Sequence, residues 1–207
     1  MMTLCRRVCA MVVIVLTALS LSYAEEVDLL QALQRGDVWA QFRGWGQGAV
    51  RGTIGRSAYG PQQLSIGPGT QFQAQRRGVQ GMMTLGQTRV DLRGQSLAQV
   101  TIPAVCMNLG WRTPTAADVM VLARRPNTRL ASVAAAASRR RAAPPVAQLA
   151  TWAVANNPPR AGIERYLNEV VAGVQAPPQL EKSRLLRQAA DLLRAAKLKP
   201  GEFRMFQ

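Results

Sequence analysis

Apolar side chains recur at every second position in short runs from Val38 to Val105, and at every third or fourth position in the last third of the chain. A period of two puts one set of side chains on one face of a strand, and a period near 3.6 gathers them on one stripe of a helix. The chain therefore reads as sheet first and helices afterwards. The strand-like runs are Val38-Ala40-Phe42, Val50 to Ile54, Leu64-Ile66, Phe72-Ala74, Met83-Leu85, Val90-Leu92 and Val100-Ile102. Glycine and proline punctuate them at Gly44-Trp45-Gly46, Tyr59-Gly60-Pro61, Gly67-Pro68-Gly69 and Arg93-Gly94. This spacing predicts an α+β protein, with an antiparallel β-sandwich of immunoglobulin-like architecture over 38–112 and an α-helical region over 113–207. A small barrel gives the same alternation, and the Cys-Trp-Cys core of antibody domains is absent, so any likeness to them is architectural.

Leu29, Leu30 and Leu33 stand at helical spacing ahead of Gly36, which predicts a short helical opening over 25–37. Beyond Thr113-Pro114-Thr115, Asn127 or Thr128 caps a helix that runs from Arg129 through an alanine run and ends at Pro144-Pro145. A second helix spans Val146 to Ala155. Ile163, Tyr166, Leu167, Val170, Val171 and Val174 form one continuous stripe. In a last helix, Leu185, Leu186, Ala189, Leu192, Leu193 and Ala196 face one way, away from Arg184, Arg187, Asp191, Arg194 and Lys197. Such a stripe packs on another helix or lies on a membrane surface, and the matching stripe before it favours packing.

Arg6 and Arg7 precede an uncharged apolar run, Val8 to Leu21, and Ser22-Tyr23-Ala24 places small residues around a cleavage point. Residues 1–24 read as a cleavable secretory signal peptide, which predicts export to a periplasmic or extracellular location. The run is about 14 residues, shorter than the roughly 20 of a membrane-spanning helix. No later stretch is apolar enough to span, so the mature chain has no expected transmembrane segment. Cys5 and Cys9 lie before the run or at its start, whereas a lipid-modified cysteine would follow it. Cys106 is then the single cysteine of the mature chain, which excludes an internal disulfide. It is either a buried thiol beside Val105 and Met107 or a candidate intermolecular thiol.

The chain has 26 Lys and Arg against 11 Asp and Glu, a formal charge of +15. Setting Arg6 and Arg7 aside leaves +13 on the mature part, a surface that attracts anionic lipids, phosphorylated wall polymers or other polyanions. Arginine far outnumbers lysine and alanine is abundant, a bias that codon composition also produces. Arg139-Arg140-Arg141 ends the alanine run, where positive charge complements the helix dipole. With Arg124 and Arg125 nearby, the three are candidate anion contacts, but no aromatic residues interleave with them and a nucleic-acid partner is disfavoured.

No histidine occurs anywhere in the chain. That removes the commonest general base, the Ser-His-Asp and Cys-His arrangements, and the usual zinc and haem ligands. The carboxylates are few and scattered, so neither a catalytic pair nor a metal site emerges, and no cofactor is expected. Gly44-Trp45-Gly46-Gln47-Gly48 lacks the Gly-Lys-Ser/Thr of a phosphate loop and has strands on both sides, which makes it a turn. Trp45 in that turn is either a buried aromatic or a candidate loop contact.

Gly36-Asp37-Val38, Arg43-Gly44-Trp45-Gly46, Leu64-Ser65-Ile66 leading to Pro68-Gly69-Thr70, Gln80 with Met82-Met83, Cys106-Met107-Asn108, Pro114 and Trp152 together resemble a group of secreted bacterial proteins of uncharacterised function. In that group a β-rich, immunoglobulin-like segment precedes a helical tail. The resemblance implies architecture and no catalytic residues, and it sets Cys106 and Asn108 just after the last strand. The combined expectation is an exported, non-enzymatic interaction or structural module of the cell envelope, with a protein or an anionic envelope component as partner. The alternative is a polyanion or membrane-surface binder acting through an arginine-rich face.

Overall fold

The computed structural model describes residues 26–123, 127–172, 174 and 177–207; the expected signal peptide, 1–24, and Arg124-Arg125 lie outside them. The chain opens with β1 (Val27–Asp28) and α1 (Leu29–Arg35). The Asp28 carboxylate caps α1 by accepting from the Leu30 and Gln31 N–H groups, and Gly36 ends it at φ 76°. Strands β2 (Val38–Trp45), β3 (Ala49–Arg56), β4 (Gln63–Ile66), β5 (Gln71–Ala74), β6 (Met82–Thr84), β7 (Thr88–Asp91), β8 (Leu97–Cys106) and β9 (Val119–Leu122) follow. Helices α2 (Thr128–Arg140), α3 (Pro144–Asn156), α4 (Glu164–Val171) and α5 (Pro178–Ala195) complete the described elements, with short 3₁₀ turns at Arg160–Ile163, Pro200–Glu202 and Arg204–Phe206.

The immunoglobulin-like β-sandwich expected over 38–112 does not form. Six antiparallel strands close into a barrel in the order β2-β3-β8-β6-β5-β9, and β1, β4 and β7 make a separate three-stranded mixed sheet. Period-two alternation reports that each strand has one buried face, which holds for sandwich and barrel alike; which strands pair is not written in that period. The closing strand also lies outside the predicted sheet. β9 pairs with β2 at Phe42↔Met120 and with β5 at Phe72↔Leu122, and its Val-Met-Val-Leu sequence shows no alternation of polarity.

Phe42 and Phe72 meet edge to face inside the barrel, 4.9 Å between centroids, among buried Val50, Ile54, Met82, Ile102 and Met120. Asn127 caps α2 by accepting from the Arg129 and Leu130 N–H groups, and Pro144 starts α3 at a position that needs no donor. The stripe predicted as one helix from Ile163 divides into the 3₁₀ turn and α4. The core of the barrel continues into the helices through Ala104, Cys106, Leu149, Trp152 and Leu193. A smaller cluster joins Met83, Val105 and Met107 to Leu130 and Ala134 of α2. The C-terminal helices thus cover β6 and the end of β8, α1 packs beside β2, and the outward side chains of β2, β3 and the start of β8 stay largely exposed.

Candidate functional site

The exposed face follows from strand parity. Val38, Phe42, Val50, Ile54 and Ile102 point into the barrel, so Trp39, Gln41, Arg43 and Trp45 of β2 point out. Antiparallel register then lays the outer side chains in rows: Trp39, Gly55 and Leu97; Gln41, Thr53 and Gln99; Arg43, Arg51 and Thr101; Trp45, Ala49 and Pro103. None of these twelve positions carries a carboxylate. The end rows are apolar and the middle rows are amide, hydroxyl and guanidinium.

Trp39 lies across the Gly55 backbone: a Cβ on Gly55 would stand 2.4 Å from the indole. One ring face is therefore set on the sheet, and the residue stays 49 % exposed beside Leu97 at 45 %. Six residues along the same strand, about 20 Å away at strand rise, Trp45 is 46 % exposed and carries the Arg51 guanidinium 3.4 Å above its ring. Arg43 donates to the Ala116 carbonyl at 3.3 Å, and Thr53 Oγ1 donates to Gln99 Oε1 at 3.0 Å. Where β2 and β9 part after two paired residues, a groove of about 480 Å³ runs beside Gln41 and Arg43, with Val119, Val121 and Gln75 on its far side.

Trp45 was legible in the sequence as a candidate contact, and it sits at one end of this face. Trp39, Arg51 and Gly55 carry no local sequence signal of a site, although the parity that buries Val38 and Phe42 already turns Trp39, Gln41 and Arg43 outward. Arg139, Arg140 and Arg141 are exposed at the end of α2, where Arg141 takes the left-handed cap at φ 49°. Among the described residues none of the three makes an ion pair. Arg140 and Arg141 border a hollow of about 310 Å³ that also holds Asp191, itself paired with Arg194 at 2.5 Å. The triplet and the Trp39–Trp45 face belong to different elements.

Cys106 ends β8 and is 1 % exposed, with Sγ 3.6 Å from Met82 Sδ and 3.9 Å from the Gln47 carbonyl. Burial pushes its thiol up to about 12. A bond to a second chain would require the strand end to open. Its backbone N–H donates to Gln148 Oε1 at 3.0 Å, and Gln148 Nε2 donates back to its carbonyl at 2.6 Å. A buried carboxamide of α3 thus extends the β8 ladder as a further strand would. Asn108 Oδ1 accepts from the Gly81 N–H at 2.8 Å, so Cys106 and Asn108 both tie strand ends in place. Trp152, one turn after Gln148, meets Tyr166 edge to face at 4.8 Å, and burial raises the Tyr166 phenol above its ordinary 10.

Among the described residues every carboxylate side chain except Asp28, which caps α1, and Asp37 is engaged by arginine or lysine. Asp118 pairs with Arg112 at 2.6 Å, Glu164 with Lys182 at 3.0 Å and Arg160 at 3.1 Å, Glu181 with Arg184, and Glu202 with Arg129. Among the described residues no three His, Cys, Asp or Glu side chains gather as a metal site. No described helix is long and apolar enough to cross a membrane. Comparison with protein-family models, curated proteins and solved structures returns no match.

Proposed function

We propose that the chain is an exported, non-enzymatic interaction module of the cell envelope or extracellular space, and that the outer face of β2, β3 and β8 is the surface it presents. The observation that carries this reading is Trp39, a large aromatic held on Gly55 and half exposed at one end of the β2–β3–β8 face. Exposed tryptophan and arginine set on a rigid scaffold are the residue types from which binding surfaces are built. Export rests on the character of residues 1–24. The non-enzymatic part rests on the missing histidine and on the ion pairs that most carboxylates of the described residues already make with arginine or lysine.

Produced in a bacterial host with residues 1–24 in place, the chain is expected outside the cytoplasm with Glu25 as its N-terminal residue. Cytoplasmic retention of the uncleaved chain overturns export. The labelled chain is expected to bind isolated envelopes saturably, and a Trp39→Ala, Trp45→Ala variant to lose that binding. Undiminished binding by the variant removes the face, and turnover of a substrate by the purified chain removes the non-enzymatic reading. A second reading, a polyanion or membrane-surface binder acting through Arg139-Arg140-Arg141, is favoured by the exposure of all three at one helix end. It predicts that neutralising the triplet, and not the tryptophans, abolishes binding.

A further inference from the structure

We infer that the outer face of β2 binds a linear acidic polysaccharide, one built from uronic acid residues, laid along the strand from Trp39 to Trp45. The inference rests on the reading of that face as the binding surface and adds its ligand class. A pyranose ring offers an apolar C–H face that stacks on an indole, hydroxyls that take both donors and acceptors, and, in a uronate, a carboxylate that suits a guanidinium. Along β2 the outward side chains come in the order indole, carboxamide, guanidinium, indole, over about 20 Å. The neighbouring strands extend the chemistry at the two middle levels, with Thr53 and Gln99 beside Gln41 and with Arg51 and Thr101 beside Arg43.

The arrangement within the face separates this ligand from a protein. Protein interfaces concentrate apolar residues at a dehydrated centre and place polar groups around the rim. Here the order is inverted, because Gln41, Thr53, Arg43 and Arg51 hold the middle and Trp39 with Leu97 and Trp45 with Pro103 hold the ends. A polymer with hydroxyls along its length and apolar ring faces at intervals matches that order. The charge is complementary too, since the twelve outward positions contain two arginines and no acid. Arg51 is held over Trp45 rather than swinging in solvent, and the groove beside Arg43 leaves room for substituents on the polymer.

The test uses the purified chain with polygalacturonate as the acidic probe and dextran as the neutral one, read by affinity electrophoresis and titration calorimetry. The expected result is saturable binding of polygalacturonate, at least about tenfold stronger than binding of dextran. Trp39→Ala and the pair Arg43→Gln, Arg51→Gln should each weaken it by about tenfold or more. A control of equal charge change, Arg139→Gln with Arg140→Gln, should leave it unchanged. These positions are exposed, and unaltered far-UV circular dichroism and melting verify that the variants fold. Equal loss in the control reduces the effect to bulk charge and overturns the inference, as does binding indifferent to Trp39→Ala. If polygalacturonate does not bind while envelope binding still needs Trp39, the ligand class is wrong and the face stands. If neither occurs, both fall.

Discussion

Gly52 and Gly55 stand on opposite sides of β3, and each is the direct cross-strand partner of an aromatic residue of β2. A Cβ on Gly52 would meet the Phe42 ring at 2.4 Å, and one on Gly55 would meet Trp39 equally closely. The two glycines therefore seat one ring inside the barrel and one outside. Gly52→Val should force Phe42 off its edge-to-face contact with Phe72 and cost about 1–3 kcal/mol in urea unfolding. Gly55→Ala lifts only a surface ring, so stability should change by less than about 0.5 kcal/mol while binding at the Trp39 face weakens. Equal destabilisation by both would contradict this division between inner and outer rings. Cys106 gives a second prediction at this scale. Its thiol is raised from 9.0 to about 12, so the folded state favours the neutral form. This contribution to stability is present below pH 9 and falls away as pH rises from 9 toward 12. A thiol reagent at pH 8 should leave native residues 25–207, whose one cysteine is Cys106, unlabelled and label them promptly in guanidinium chloride; rapid native labelling would show an accessible thiolate.

Closure of the barrel depends on the segment before β9. Asp118 accepts from Thr115 N–H at 2.8 Å and Thr115 Oγ1 at 2.9 Å, and pairs with Arg112. Its own carbonyl receives Gly44 N–H, while Pro114 packs so closely on Gly44 that a Cβ there would clash at 2.4 Å. The Arg112 guanidinium, with the Thr115 donors, holds the Asp118 carboxyl well below its ordinary 3.8. A carboxyl depressed in the folded state stabilises above its unfolded value and loses that contribution as pH falls below 3.8. Asp118→Asn should lower stability by about 1–2 kcal/mol at pH 7, and the gap to the wild type should narrow below pH 3.8. A gap that does not depend on pH would mean that the charge is not what anchors β9. The helices of the second half were largely legible, since caps such as Asn127 and helix-starting prolines such as Pro144 act within a few residues of where they stand, although Pro144 opens α3 where the sequence places it at the end of α2, which Arg141 caps instead. β9 was not legible, because all four of its residues are apolar and its place is set by partners in β2 and β5 far away in the chain. The Trp39 face was half legible: parity shows which side chains turn outward, but only register sets Trp39 on Gly55 and Arg51 beside Arg43.

Barrel and helices share one buried core, and a buried side chain of α3 bonds the barrel backbone directly. Gln148 of α3 gives both its amide groups to the backbone of Cys106, so the last rung of β8 is completed by a helix. Together with the apolar contacts of Met83, Val105 and Leu130, that bond pair holds α2 and α3 on the β6 and β8 flank, opposite in chemistry to the exposed Trp39 face. Gln148→Ala removes the partner of a buried N–H and a buried C=O together, at a cost of about 1–3 kcal/mol for each group left unpaired. In wild type, far-UV circular dichroism and tryptophan fluorescence should report one coincident urea transition, because Trp39 and Trp45 lie on the barrel and Trp152 lies in α3 against the same core. In Gln148→Ala the circular dichroism transition should move to lower urea and separate from the fluorescence transition, the helical signal being lost first. If the two transitions stay coincident and unmoved, Gln148 does not couple the two layers, and the shared apolar core alone holds them together.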